Sequence, residues 1–559
     1  MQKINISVGV SDFEKIRRDG YYYIDKSGLI RGLLESSAEV TLLTRPRRFG
    51  KTLGMSMLAN FFDITKDSKS LFEGLEIAGY PEICRQWMNQ YPVLFLSFKD
   101  VDGSSFENAL GLLKFTLSQF CDTHAYLADG GRITDMQRAI FERLKMQTAS
   151  LVDIQSSLFI IMKMMQAYYG KPVILLLDEY DVPIAKASSK GYYAEMLEVI
   201  KTMLSTSLKD NAFLRFAVVT GCLKIAKESI FTGTNNFVSD TITSSRFNEY
   251  FGFTQKEVDK ILQDANACEH AAQIKEWYDG YHFGDYDIYC PWDVMNFIRD
   301  LQFDAKAQPA SYWKNTSDNA IIRSFIDYAG SSITAKMETL LSGGYITERI
   351  EENLTYDYLH SSEENLWSIL YLTGYLTKLQ DEDVMAGIPK DKTALIIPNA
   401  EIKEIFQTTV KKWFEDQART WNRKALFDAV WSGNSEKLTS EMNRLLRLTI
   451  SYHDYKEDYY HAFLAGIFTG AGYEVQSNKE HGEGRSDVVV SDSKNGRVAV
   501  FEAKYSKTLK QLEEDCSAAV KQIEDRMYAK EFEENGDEVF CYGIAFFKKS
   551  KVKIMGVSI

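Results

Sequence analysis

Two apolar runs that each end in chemistry constrain this 559-residue chain most. The first, residues 40 to 44, leads into Arg45-Pro46-Arg47-Arg48-Phe49-Gly50-Lys51-Thr52 and then a helical stretch over 53 to 62. The second, residues 173 to 177, ends in Asp178-Glu179-Tyr180-Asp181. A strand that turns through glycine and Lys-Thr into a helix is the setting of a phosphate-binding loop, because the amides of a helix amino terminus point at an anion. On this reading Gly50 lets the backbone approach, Lys51 reaches the outer phosphates and Thr52 gives a hydroxyl to magnesium. The loop departs from the usual pattern at its first position, where arginine stands instead of glycine.

The second run supplies the other half of a nucleotide site. Asp178 is expected at the carboxyl edge of a parallel sheet, where open α/β folds bind ligands, holding magnesium through water. Glu179 is then placed to polarise the attacking water. Further strand candidates at 92 to 98 and 213 to 219 alternate with helical stretches, as βαβ units do. Thr220, at the end of the last run, is a candidate polar sensor of the outer phosphate. Asn235 and Asn236 are weaker candidates, read first as turn caps. Arg45, Arg47 and Arg48 could neutralise phosphate charge or face solvent. The expected ligand of Arg45, Arg47, Arg48, Phe49, Gly50, Lys51, Thr52, Asp178 and Thr220 is ATP with Mg2+.

A second constellation lies near the carboxyl terminus. Residues 486 to 491 and 497 to 503 read as strands joined by the turn signal Asp492-Ser-Lys-Asn-Gly496. Antiparallel pairing through that turn sets Asp487 opposite Glu502, and Lys504 shares a strand face with Glu502. Two carboxylates, the carbonyl of Ala503 and a lysine suit magnesium or manganese and phosphodiester chemistry. The alternative is an amphipathic hairpin with solvated charges. A following helix carries Gln522. Residues 476 to 511 hold seven Lys or Arg against five Asp or Glu, a local basic balance in an acidic chain, and make DNA or RNA the expected partner.

These phrases, together with Tyr23-Ile-Asp-Lys-Ser27, Lys227-Glu-Ser-Ile-Phe231 and Trp277-Tyr-Asp-Gly-Tyr281, resemble bacterial AAA-ATPase-like proteins that carry a carboxy-terminal PD-(D/E)XK nuclease module. That family habitually has arginine at the position of Arg45. The resemblance implies that Glu457, on a helix upstream of the hairpin, adds an acid to the nuclease site. It implies an α/β architecture: a P-loop ATPase domain with a parallel sheet at 1–255, a mostly helical middle domain at 256–450 with a winged-helix-like option, and a restriction-endonuclease-like α/β module at 451–559.

Composition excludes other classes. Lys and Arg number 65 against 78 Asp and Glu, so a general nucleic-acid-coating role is out. Seven scattered cysteines without a C-x-x-C pair argue against a zinc ribbon or disulfide scaffold and for a reducing compartment. With no signal-like or membrane-spanning run, the cytoplasm is the expected location, without a membrane partner. A homo-oligomer is a further expectation. The competing functional reading is a nucleotide-dependent switch whose nuclease-like module binds without cutting.

Overall fold

The computed structural model describes residues 3–129, 132–224, 237–313, 336–337, 339–354, 363–380, 388–389, 391–409, 424–449, 464, 467–468, 473–481, 484–534, 538–547 and 551–557. The chain divides into two compact units, 1–407 and 408–559.

In the first unit, β1 (Val40–Thr44), β2 (Val93–Ser97), β3 (Val173–Asp178), β4 (Leu214–Gly221) and β5 (Phe237–Asp240) form one sheet in the order β2-β3-β4-β1-β5. Every pairing is parallel. The β1 and β3 residues are all buried, as expected of strands covered on both faces. Successive residues feed two different cores. Leu42, Leu175, Leu177, Ala217 and Val219 join one, and Leu43, Ile174, Leu176, Phe216 and Val218 join the other. That alternation is the two-residue period of a pleated strand, and full burial of each such side chain contributes about 1.5–3 kcal/mol. β4 separates β1 from β3, so the loop after β1 and the acids after β3 flank the tip of β4.

The rest of this unit combines helices with two small antiparallel sheets. One contains β6 (Phe253–Thr254), β7 (Tyr281–Phe283) and β8 (Tyr286–Tyr289); the other contains β9 (Ile346–Glu348), β10 (Thr377–Lys378) and β11 (Thr393–Ile396). The Trp277–Phe283 aromatics form a packed corner. Tyr281 and Phe283 contact Phe49 of the loop after β1 at ring separations of 4.9 and 5.1 Å.

The second unit is built on β12 (Glu474–His481), β13 (Gly484–Asp492), β14 (Arg497–Tyr505), β15 (Glu538–Phe547) and β16 (Lys551–Val557), paired in that order. The β14–β15 pair is parallel and the others are antiparallel. Helix Leu512–Asp525 makes the parallel connection and lies close on β15: a Cβ at Gly543 would stand 2.7 Å from Val520. Helices Lys424–Val430 and Ser435–Thr449, which the sequence reading assigns to the middle domain, contribute Leu426, Val430, Leu438 and Met442 to this core. The Asn443 side chain exchanges two 2.8 Å hydrogen bonds with the Val552 backbone, and the Thr439 hydroxyl accepts from the Ile554 amide at 3.1 Å. Among the described residues no helix is long and apolar enough to cross a membrane.

Candidate functional site

The first site grows out of the carboxyl edge of the parallel sheet. Gly50 takes φ +85°, a conformation open to a residue without Cβ, and caps helix Lys51–Phe62. The Lys51 ammonium donates to the Arg45 and Pro46 carbonyls at 2.9 and 2.8 Å and lies 3.8 Å from the Cys222 sulfur. The Thr52 hydroxyl donates to Asp178 Oδ2 at 2.8 Å, which joins the loop to the end of β3. Asp178 also accepts from the Thr220 hydroxyl at 2.5 Å and from Ser97 at 3.5 Å. Three strand ends, those of β2, β3 and β4, and the first turn of helix Lys51–Phe62 therefore meet around one carboxylate.

A cavity of about 560 Å³ opens against this edge. Arg47, Arg48, Phe49, Gly50, Lys51, Thr52 and Glu179 line it, with Cys222 from the tip of β4. Its charged lining is six basic residues, which include Lys26, Lys99 and Lys186, against two acids, Asp102 and Glu179. Such a lining favours a polyanion. Tyr22, Tyr23, Ile24, Phe253, Trp292 and Met295 give the same cavity an apolar and aromatic wall. The Arg48 guanidinium stacks 4.2 Å from the centre of a Trp292 ring, and burial lowers its pKa. Glu179 holds a left-handed backbone, φ +54°, and burial pushes its carboxyl above the ordinary range, with Lys51 opposing.

Arg45 takes another place than the sequence reading gives it. Arg45 is fully buried and does not line the cavity. Its guanidinium donates to the Thr44 carbonyl at 2.8 Å, Asp240 at 2.9 Å and Arg246 at 3.2 Å, and it faces the Phe251 ring. Its charge therefore fastens the end of β1 to the end of β5 instead of meeting phosphate. Thr220 stands buried at the end of β4, where its hydroxyl donates to Asp178 Oδ1 at 2.5 Å and accepts from the Glu179 amide at 3.4 Å. The segment 227–231, Asn235, Asn236 and Glu457 lie outside the described residues. The Tyr23–Ser27 phrase acts as a clasp: the Lys26 ammonium binds Glu257 at 2.6 Å and the Glu249 carbonyl at 2.6 Å.

Asp181, Cys222, Lys99 and Lys186 escape the sequence reading. Asp181 has a signal, an acid two residues after Glu179, but the apolar run gives no reason to separate it from a solvated turn. The cavity-lining lysines stand on the loop after β2 and on helix Val182–Lys190, and only the fold brings them beside Glu179.

In the second unit, Val488 pairs with Phe501, so Asp487 and Glu502 stand one residue further along the two strands. Asp487 Oδ2 accepts from the Ala503 amide at 2.7 Å. Gln522, from helix Leu512–Asp525, donates its amide to Glu502 and accepts from the Lys504 ammonium at 2.6 Å. Lys504 lies 3.6 Å from Glu502. Glu502 is buried, while Asp487 and Lys504 keep partial exposure. The oxygens of Asp487, Glu502 and the Ala503 carbonyl are the hard donors that a divalent cation of the magnesium type takes. Among the described residues, no group of three His, Cys, Asp or Glu side chains is placed to hold a metal ion.

Comparison with known proteins agrees with both regions. Residues 7–231 match the family described as "Predicted AAA-ATPase", and residues 455–555 match the PD-(D/E)XK nuclease superfamily. A relative from Azotobacter chroococcum mcd 1, named "Uncharacterized protein in vnfD 5'region", is 25% identical over 574 residues, which span 99% of this chain and 98% of the relative. The chain thus joins an AAA-ATPase-like region to a PD-(D/E)XK superfamily region, in that order.

Proposed function

We propose that this chain hydrolyses ATP in its first unit and cleaves nucleic-acid phosphodiester bonds in its second, with nucleotide state controlling cleavage. The observation that carries the reading is the bond from Thr52 to Asp178 beneath a cavity lined by Lys51 and Glu179. A triphosphate would lie along the Gly50–Thr52 amides with Lys51 against its outer phosphates, and the base would face the Tyr22, Tyr23 and Trp292 wall. Glu179 would orient a water and take its proton as the water oxygen attacks the outer phosphorus. The bridging oxygen then leaves with the bonding pair on ADP. Arg47 and Arg48 would offset charge spreading over the phosphate oxygens. Thr52 and Asp178 suit a magnesium ion, which when bound withdraws charge from the outer phosphates.

In the second unit, Asp487, Glu502 and the Ala503 carbonyl would hold magnesium or manganese, which when bound supplies Lewis acidity at a scissile phosphate. Lys504 would orient the attacking water, and Gln522 would keep Glu502 and Lys504 in register. The substrate is DNA or RNA, and the pairing of activities fits defence against, or maintenance of, foreign genetic elements in the cytoplasm.

The test uses the full chain with MgATP and a panel of labelled single- and double-stranded DNA and RNA, with magnesium or manganese. Lys51→Ala is expected to lower ATP turnover by on the order of 10²–10³-fold, and Glu502→Ala to abolish cleavage with turnover intact. ATP turnover unaffected by Lys51→Ala would remove the first site from the account. Turnover without cleavage of any substrate would leave the second unit as a binding platform.

A further inference from the structure

The four residues Asp178 to Asp181 are laced to the last residues of β4 one by one. Asp178 accepts from the Thr220 hydroxyl at 2.5 Å, and the Glu179 amide donates to the same hydroxyl at 3.4 Å. The Tyr180 amide donates to the Thr220 carbonyl at 3.0 Å, and its phenol donates to the Leu223 carbonyl at 2.9 Å. Asp181 closes the series: its Oδ2 accepts from the Cys222 amide at 2.9 Å and the Leu223 amide at 3.0 Å. Asp181 is 2% exposed, and its Oδ1 has no hydrogen-bond partner among the described residues. A Cβ at Gly221 would stand 2.7 Å from that oxygen and 2.8 Å from the Tyr180 ring, so the two strand ends are in close contact.

Two features need this lacing. Glu179 keeps a left-handed backbone, which a non-glycine residue holds only where its surroundings over-determine it. Cys222 lines the cavity beside Lys51, so whatever fixes Cys222 fixes the surface next to that ammonium. A buried carboxylate with no cation bonded to it is costly to keep, and here it is spent on two backbone amides.

We propose that Asp181 is a positioning residue for ATP hydrolysis. By holding the Cys222 and Leu223 amides it locks the tip of β4 against the Asp178–Glu179 turn, and so sets where the Glu179 carboxylate stands relative to a phosphate on Lys51. The proposal rests on the ATPase reading above and goes beyond it by assigning the fourth residue of the Asp-Glu-Tyr-Asp run.

The experiment measures kcat, KM and the affinity for a fluorescent ATP analogue in the full chain carrying Asp181→Ala, Asp181→Ser or Asp181→Asn. Displacing a reacting group by about 1 Å costs on the order of 10²-fold in rate. Asp181→Ala is expected to lose turnover on that scale while analogue affinity stays within roughly threefold, the split that displacement of a reacting group gives. Asp181→Ser, which keeps a polar atom but is too short to span both amides, follows Ala and serves if Ala fails to fold. Asp181→Asn, whose carbonyl can still accept both amides, recovers most of the rate. Undiminished turnover in Ala or Ser overturns the proposal. So does a parallel fall of kcat and affinity without rescue by Asn, the mark of general structural damage. A wild-type chain that neither binds nor hydrolyses ATP refutes the underlying reading, a result visible without any variant.

Discussion

Glu179 shows how one residue's surroundings set a measurable property. A general base works as the carboxylate, and burial raises the Glu179 pKa above 4.5, with the attraction of Lys51 a smaller opposing influence. The rate should therefore fall as pH drops through that raised pKa, so the acidic limb of the kcat profile is expected above the ordinary carboxylate range. A limb at about 4.5, or a flat acidic side, would show that this group does not limit turnover. The site's acids and its Lys-Thr pair were legible in the sequence because their chemistry depends on local order: strand, then turn, then helix. Arg45 was misread for a physical reason. Its side chain follows β5, a strand of four residues, Phe237–Asp240, with too few apolar positions for periodicity to reveal it.

At the scale of elements, the same arginine becomes a rivet between strands. Among the described residues β5 is the edge of the parallel sheet and pairs only with β1, through four residues of register. The guanidinium adds bonds from the end of β1 to the Asp240 and Arg246 carbonyls, and burial lowers its pKa to about 10. Arg45→Met would leave the buried Asp240 carbonyl and the partly buried Arg246 carbonyl without this donor. The expected cost is about 2–4 kcal/mol of stability, read as a lower urea midpoint for the transition of the first unit. Arg45→Lys should recover little of it, since an ammonium cannot replace the planar fork. A shift under roughly 0.5 kcal/mol would mean that β5 does not depend on this residue. The hairpin of the second unit was more legible than this edge. Its turn at 493–496 fixes the pairing of β13 with β14, and the register of every later residue follows from it.

At the scale of the whole chain, each unit has cores of its own, and their extents differ from what similarity alone marks out. The nuclease-superfamily match covers 455–555, whereas the core around β13 to β16 also takes Leu426, Val430, Leu438 and Met442 from before it. The sequence left this open because two amphipathic helices carry no sign of which sheet they serve. Among the described residues β16 has a single strand neighbour, β15, and Asn443 and Thr439 occupy its other side by mimicking the bonds of a sixth strand. A protein cut at the similarity boundary would keep the strand and lose its cover. Exposed strand edges recruit other strands, so a 455–559 fragment is expected to self-associate where 408–559, at equal concentration, elutes at its own mass on size exclusion with light scattering. A dispersed 455–559 fragment would contradict this. Asn443 and Thr439 thus act as a built-in guard against sheet-to-sheet polymerisation, and where the folded module begins is decided by who shields its last strand.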